Sequence, residues 1–146
     1  GYVHDEASAF FGGLAGNAGL FSTARDVARV YQMLLNGGEI DGQRYLSKET
    51  CQLFTTETSK ISRRGLGFDK PDADDPKKGN CAPAAPAEVY GHTGFTGTCA
   101  WVDPVNELVY VFLSNRIYPD VTNRKLNQLH IRERIQGAIY DAMKKK

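Results

Sequence analysis

Apolar residues recur with a helical period in the first third of the chain and form strand-length runs around residue 100. Thr23 and Asp26 have the spacing of a capping box, with Ser22 as an alternative N-cap, and the glycines at 37–38 suit a helix end. Between them, four apolar residues at the i, i+3, i+4, i+7 spacing form one helix face: Val27, Val30, Tyr31 and Leu34. The pattern predicts a helix that begins at residue 22 or 23 and ends at Gly37.

Turn and cap residues predict the segments on either side of this helix. Residues 1–21 are rich in glycine and small side chains, which favours an ordered loop. Asp41-Gly42 is a type I′ hairpin signal between two short extended pieces. Ser47 is placed to cap a second helix that continues to about Phe54. Residues 64–68 carry glycines at alternate positions, and we expect a short strand there.

The second half of the chain predicts an antiparallel sheet. Residues 69–88 contain four prolines and an acidic run, and we expect an exposed loop insertion within a single domain of residues 1–146. The third of the strands that follow is apolar on both faces, which predicts a central strand covered above and below. Short connections make the strands antiparallel neighbours. Their predicted bounds are Val89–Thr93, Cys99–Val102 and Glu107–Asn115.

A helix from about Lys125 to Met143 is predicted to close the chain, with an apolar stripe that includes Leu129 and Ile135. A sheet buried on both faces needs a helical layer on each face, and the first and last helices can supply one each. We therefore predict an α+β fold in which an antiparallel sheet lies between helical layers, in the order α/β/α.

Composition and charge exclude several classes of protein. The formal net charge of +1 gives no electrostatic case for a nucleic-acid partner. No apolar run approaches the roughly 20 residues that cross a bilayer, so we expect no membrane span in this chain. The three cysteines, at positions 51, 81 and 99, include no C-x-x-C pair, which favours buried thiols over a disulfide framework or a metal site. We expect no metal and no organic cofactor.

The segment richest in chemistry is Gly91-His92-Thr93-Gly94-Phe95-Thr96-Gly97. Glycine within a strand marks a bulge or a close approach by a ligand or another backbone. An exposed strand edge can dock an extended substrate, and one of its N–H groups can point at a developing oxyanion. The threonine hydroxyls could bind a carboxylate, and the histidine could carry a proton. The motif alone fits equally a tight strand–turn–strand with a structurally satisfied histidine.

Two longer blocks, residues 15–38 and residues 90–116, give the motif its context. They read A-G-N-A-G-L-F-S-T-A-R-D-V-A-R-V-Y-Q-M-L-L-N-G-G and Y-G-H-T-G-F-T-G-T-C-A-W-V-D-P-V-N-E-L-V-Y-V-F-L-S-N-R. With Leu46–Thr50 and Gly65–Phe68 in order between them, the chain resembles the C-terminal half of the family that includes class C β-lactamases, D-Ala-D-Ala carboxypeptidases and related esterases. The resemblance covers about residues 12–143, and the ordered combination is specific although no single short motif is.

The resemblance implies a role for each residue of the motif. A Lys-Thr-Gly or His-Thr-Gly triplet lines the family's active site on a strand, and it corresponds here to His92, Thr93 and Gly94. The backbone N–H of Phe95 would enter the oxyanion hole. His92 and Phe95 are thus the expected catalytic residues, while Thr93, Gly94 and Thr96 are expected to bind substrate. The implied reaction is acyl transfer through a serine acyl-enzyme.

Two motifs of that family do not occur in this chain. No serine has lysine three residues later, and no tyrosine has asparagine two residues later, so both S-x-x-K and Y-x-N are missing. We therefore expect a partial β-lactamase/transpeptidase-like fold that lacks its N-terminal strands and its nucleophile helix. The isolated chain should be inactive, and its partners should be a small-molecule or peptidoglycan-derived substrate and the upstream part of the same polypeptide.

A non-catalytic use of the same fold is the alternative. In that interpretation a β-lactamase-like module is fused to another cell-envelope enzyme, such as a glycosidase, and binds wall fragments or a partner. The resemblance places either version in the periplasm or cell envelope. A fold that lacks strands would also expose a sheet edge, through which copies of the chain could self-associate.

Overall fold

The computed structural model describes residues 2–76 and 78–145, and these contain helices and two antiparallel sheets. In chain order the elements are α1 (Glu6–Phe10), α2 (Ala24–Leu35), β1 (Glu39–Ile40), β2 (Gln43–Arg44), α3 (Lys48–Thr55), β3 (Tyr90–Thr93), β4 (Cys99–Asp103), β5 (Leu108–Phe112), α4 (Lys125–Gln128) and α5 (Ile131–Met143). Their mixture of helices with antiparallel sheets confirms the α+β class.

The local signals of the first half are confirmed by the backbone. Thr23 is the N-cap of α2 and accepts a hydrogen bond from the Asp26 N–H. Ser47 caps α3 in the same way through the Thr50 N–H. Asp41 and Gly42 have φ angles of 52° and 74°, as a type I′ turn requires, and they join β1 to β2. Each of these features is decided by residues a few positions apart.

The larger sheet has the strand order β3-β4-β5, with both pairs antiparallel. All five residues of β4 are buried, whereas β5 is mostly half-buried and has no strand partner on its outer edge within the described residues. Within the described residues β5 is therefore an edge strand and not the central strand that was predicted for residues 107–115. The apolar Cys99-Ala100-Trp101-Val102 segment is central because both of its edges are paired.

Helices cover both faces of this sheet. On one face, Trp101 and Tyr110 join Cys81, Val89 and Cys99 in a buried cluster against which Ile139 of α5 packs. On the other face, the Tyr31 ring of α2 contacts Phe68, which contacts Tyr90 of β3. The predicted order of helix, sheet and helix is present in the described residues, and it positions β3 at the rim of the sandwich.

The last helix differs from its prediction in two ways. His130 has a left-handed backbone (φ 50°, ψ 43°) and separates α4 from α5, so the predicted continuous helix is interrupted. The buried face of α5 is formed by Arg132, Gln136 and Tyr140, while Leu129 and Ile135 of the predicted stripe are 53% and 38% exposed. Tertiary hydrogen bonds decide this orientation: the Tyr140 hydroxyl donates to Asp103, and Gln136 accepts from the Ala82 N–H.

Three predicted loop or strand segments also need correction. The loop predicted at residues 1–21 contains α1, which Asp5 caps through the Ser8 N–H. Residues 64–68 form no strand, because they bend within local turns and only Asp69 makes a bridge to β3. The segment 69–88 has no helix or strand among its described residues, but it is not uniformly exposed. Its buried members are Asp69, Lys70, Cys81 and Ala82.

Candidate functional site

The outer edge of β3 is the part of the sheet that can accept a ligand. Gly91 directs its backbone outward, where its N–H and carbonyl pair with Asp69 at 3.0 and 2.7 Å. Backbone groups alternate in direction along an antiparallel strand. The N–H and C=O of His92 therefore point toward β4, and those of Thr93 point outward again. The Thr93–Cys99 pair is thus a non-hydrogen-bonded pair of the ladder, and no hydrogen bond to the Thr93 N–H from outside the sheet is found in residues 2–76 and 78–145. The edge is therefore occupied at Gly91 and open two residues later.

A tight turn follows at Gly94–Gly97 and continues the open edge. The Gly94 N–H donates to the Thr98 carbonyl at 2.8 Å, and the Gly97 N–H donates back to the Gly94 carbonyl at 2.9 Å. A Cβ atom on Gly94 would lie 2.3 Å from the Thr98 hydroxyl oxygen, so a larger residue here would require the Thr98 side chain to rotate. Within the described chain, the N–H groups of Phe95 and Thr96, between these glycines, have no hydrogen-bond partner.

The Phe95 side chain is exposed but held between two neighbours. Its ring stacks on His4 with centroids 5.7 Å apart, and the Arg116 guanidinium carbon lies 4.7 Å from the ring centroid. The Arg116 backbone N–H also donates to the Thr96 carbonyl at 3.0 Å. These contacts hold the turn through the Phe95 side chain and the Thr96 carbonyl, and they leave the Phe95 N–H without a partner among the described residues.

Both ring nitrogens of His92 have partners although the side chain is exposed. Nδ1 lies 2.7 Å from the Thr93 carbonyl oxygen, and Nε2 lies 3.1 Å from Nη1 of Arg64. Arg64 comes from the segment that sequence patterning assigned to a strand. The contact joins residues 28 positions apart and brings a guanidinium to the open edge of β3.

A buried ion-pair network anchors the segment that carries Arg64. The Asp69 carboxylate is 2% exposed and binds Arg63 through Nε and Nη2 at 2.8 and 3.1 Å, with Asn80 at 2.8 Å. Burial acts to raise the pKa of Asp69, but hydrogen bonds from Arg63, Asn80 and the Lys70 N–H outweigh it and hold that pKa below its usual value. The same contacts raise the pKa of Arg63.

A separate groove lies away from this edge. It has a volume of about 810 Å³ between the C-terminal end of α2, α3 and the residues that lead into β3. Lys70 lines it, with Nζ 3.3 Å from the carbonyl oxygens of Thr55, Glu88 and Val89. Burial lowers the pKa of Lys70, yet the ammonium is satisfied by these carbonyls. We therefore interpret the groove as part of the packing between these elements, in which the Lys70 ammonium stabilises the C-terminal end of α3.

The three cysteines are free and buried, as the sequence predicted. Burial raises the pKa of the Cys81 thiol to about 12 and that of Cys99 to about 11, so neither is a thiolate at neutral pH. In the described part of the chain, no three potential metal ligands converge. None of the helices described is long and apolar enough to cross a membrane.

The structure brings together all five of the residues predicted from the motif. They occupy β3 and the turn that follows: His92, Thr93, Gly94, Phe95 and Thr96. Sequence patterning missed Arg64 and Asp69, which contact this edge from a segment that was predicted to be a strand followed by an exposed loop. The His4 ring also stacks on Phe95 of this turn. Long-range pairings of this kind leave no local signal.

The comparisons with known proteins identify the family of this chain. The Beta-lactamase family model matches residues 1–133. A protein of Escherichia coli O157:H7 named "Putative D-alanyl-D-alanine carboxypeptidase" is 38% identical over 128 residues, which are 87% of this chain and 29% of that protein. Proteins of the same name from Escherichia coli K12 and Salmonella agona are 37% identical over the same shares. The chain thus spans less than a third of the length of these curated relatives, and it belongs to the Beta-lactamase family, whose members are of the serine hydrolase type.

Proposed function

We propose that this chain forms one wall of the active site of a serine acyl hydrolase or transferase that acts on β-lactams, D-Ala peptides or small esters. The observation that carries the proposal is the outward-facing Thr93 and Phe95 N–H groups, which have no partner among the described residues and lie beside His92. Membership of the Beta-lactamase family supports the reaction type. The names of the relatives favour a substrate with a D-Ala-D-Ala end.

Each residue has a distinct part in the proposed reaction. A serine outside this sequence attacks the substrate carbonyl, and negative charge develops on the carbonyl oxygen. The Phe95 N–H donates to that oxygen, where a prepositioned donor is worth about 10²–10³ in rate. The open Thr93 N–H aligns an extended substrate along β3, while the hydroxyls of Thr93 and Thr96 bind its carboxylate. His92 assists proton transfer, and Gly94 lets the substrate approach the backbone.

The nucleophile is the missing part, because no serine of this chain has lysine three residues later. We assign the serine to the upstream part of the same polypeptide.

The outer edge of β5 has no strand partner within the described residues. The part of the chain that follows β5 also exposes apolar side chains, at Tyr118, Leu129 and Ile135. We propose that the upstream part covers this edge, and that the isolated chain self-associates there in its absence. The proposed compartment is the periplasm or cell envelope.

Covalent labelling distinguishes this proposal from the non-catalytic alternative. The 146-residue chain and a longer polypeptide that extends upstream are each exposed to a fluorescent β-lactam and to a fluorophosphonate, and adducts are located by mass spectrometry. We expect an adduct on an upstream serine of the longer polypeptide and none on the short chain. Absence of any adduct on the longer polypeptide would favour a binding module fused to another envelope enzyme. An adduct within the short chain would refute the proposed division of the site.

A further inference from the structure

The two contacts of the His92 ring define where its proton lies. A carbonyl oxygen only accepts hydrogen bonds, so Nδ1, 2.7 Å from the Thr93 oxygen, must carry a hydrogen and donate it. A guanidinium only donates, so Nε2, 3.1 Å from Arg64 Nη1, must accept. Both requirements are met only by the neutral ring with its proton on Nδ1. The opposite tautomer would place a lone pair against the carbonyl and an N–H against the guanidinium.

Both neighbours of Arg64 are held in place, Arg63 by its side chain and Gly65 by its backbone, which separates this contact from an incidental surface pairing. On one side, Arg63 is held by the buried Asp69 carboxylate through two hydrogen bonds. On the other side, a Cβ atom on Gly65 would lie 2.4 Å from the Phe54 carbonyl oxygen, so this backbone packs directly against the end of α3. An exposed arginine is ordinarily mobile and contributes little through one contact. Arg64 instead begins from an anchored backbone.

Within residues 2–76 and 78–145, no carboxylate forms an ion pair with the Arg64 guanidinium. None of the ion pairs among the described residues includes Arg64, whereas its neighbour Arg63 pairs with both Asp69 and Asp72. Its one side-chain hydrogen bond in the described structure is the one to His92. The Arg64 guanidinium therefore lies against the imidazole at the open edge of β3 and is not engaged in a structural salt bridge.

We propose that Arg64 is a positioning residue for His92: its guanidinium, together with the Thr93 carbonyl, fixes the neutral Nδ1–H tautomer and presents the Nε2 lone pair at the edge of β3. The meaning of this arrangement for catalysis rests on the proposed acyl transfer, in which a ring that presents a lone pair can accept a proton at that point. The tautomer itself does not depend on any reaction and is a property of this chain.

Nitrogen-15 NMR of the 146-residue chain labelled at histidine tests the proposal without turnover. The chain has three histidines, so substitution of His92 assigns its signals. Spectra are recorded about two pH units above the usual histidine pKa of about 6.5, where neutral rings dominate. We expect the Nδ1 of His92 to resonate as a protonated, pyrrole-type nitrogen and its Nε2 as a pyridine-type nitrogen.

Two substitutions at Arg64 give the decisive comparison. Arg64→Met removes the guanidinium donor but leaves the Thr93 carbonyl, so the Nδ1–H fraction should fall and an Nε2–H population should appear. Arg64→Lys retains a cationic donor and should keep most of the Nδ1–H form. Arg134→Met, at an exposed arginine of α5, is the matched control and should change nothing at His92. Backbone amide spectra establish that each variant is folded.

A wild-type spectrum with the proton on Nε2, or a spectrum that Arg64→Met leaves unchanged, would overturn the proposal. Neither result would touch the proposed acyl transfer, which the labelling experiment tests on a different polypeptide. Conversely, failure of that labelling would leave the tautomer assignment intact. The two proposals therefore fail separately.

Discussion

Replacing Asp69 by alanine is expected to lower the free energy of unfolding by about 3 kcal/mol, near the lower end of the range for breaking a buried ion pair. The Asp69 side chain is 2% exposed, and its carboxylate holds Arg63, Asn80 and the Lys70 N–H. Arg63 is 33% exposed, so water can solvate its guanidinium in part once the carboxylate is gone, and this reduces the loss of stability. The remaining loss reflects three donors left without their acceptor.

Urea denaturation followed by circular dichroism measures this loss. Asp74→Ala is the matched control, because Asp74 lies in the same segment but is exposed. We expect the free energy of unfolding of the control to lie within about 0.5 kcal/mol of the wild-type value, as is usual for surface substitutions. Equal stability of the Asp69→Ala and Asp74→Ala proteins would show that the network contributes nothing.

The same carboxylate predicts a pH dependence. The folded pKa of Asp69 is lowered, because the hydrogen bonds and charge of its partners outweigh its burial. Its contribution to stability is therefore complete above the unfolded aspartate pKa of about 3.9 and is lost as the pH falls through the lower folded value. The Asp69→Asn protein should lose less stability than wild type over that acidic interval. The comparison needs only denaturation curves at several pH values.

Replacing Gly91 by alanine is expected to destabilise the protein by about 3 kcal/mol or more, at the upper end of the overpacking range. A Cβ atom there would lie 2.1 Å from the Ala100 carbonyl oxygen and 2.7 Å from Trp101 Cε3. The first obstacle is the backbone of the central strand, which cannot rotate away. Strand β3 would have to separate from β4 and would take His92 with it.

Trp101 reports this change directly, since it is the only tryptophan of the chain and is 1% exposed. We expect a red-shifted emission together with a lower denaturation midpoint in Gly91→Ala. Gly137→Ala is the control: no heavy atom lies within 4 Å of its added Cβ, and alanine in a helix is worth up to about 1 kcal/mol over glycine. A Gly91→Ala protein as stable as this control would contradict the close packing of β3 on β4.

The parts of the fold that the sequence predicted are those decided locally. The Asp41-Gly42 turn and the Thr23 and Ser47 caps need only residues within about three positions. The orientation of α5 could not be predicted in this way, because Tyr140 bonds a residue 37 positions away and Gln136 one 54 positions away. These tertiary hydrogen bonds orient α5 with a polar face toward the sheet, although the apolar periodicity of its sequence predicts a different buried face.

The candidate site divides along the same line. His92 to Thr96 form one continuous motif, so sequence and family resemblance could find them together. Arg64 reaches His92 across 28 residues and lies in a segment whose alternating glycines imitated a strand. Those glycines serve instead for close approach and for a positive φ of 108° at Gly67. Glycine spacing alone does not distinguish these uses.

Hydrogen exchange of single backbone amides tests the central claim, the open edge of β3, most directly. We expect slow exchange at Gly91, which bonds Asp69, and at Gly94, which bonds Thr98. Thr93 and Phe95, between and beside them, should exchange much faster, because their N–H groups have no partner among the described residues. Protection of Thr93 and Phe95 equal to that of Gly91 would show that the edge is already occupied, and the proposed wall of the active site would be wrong.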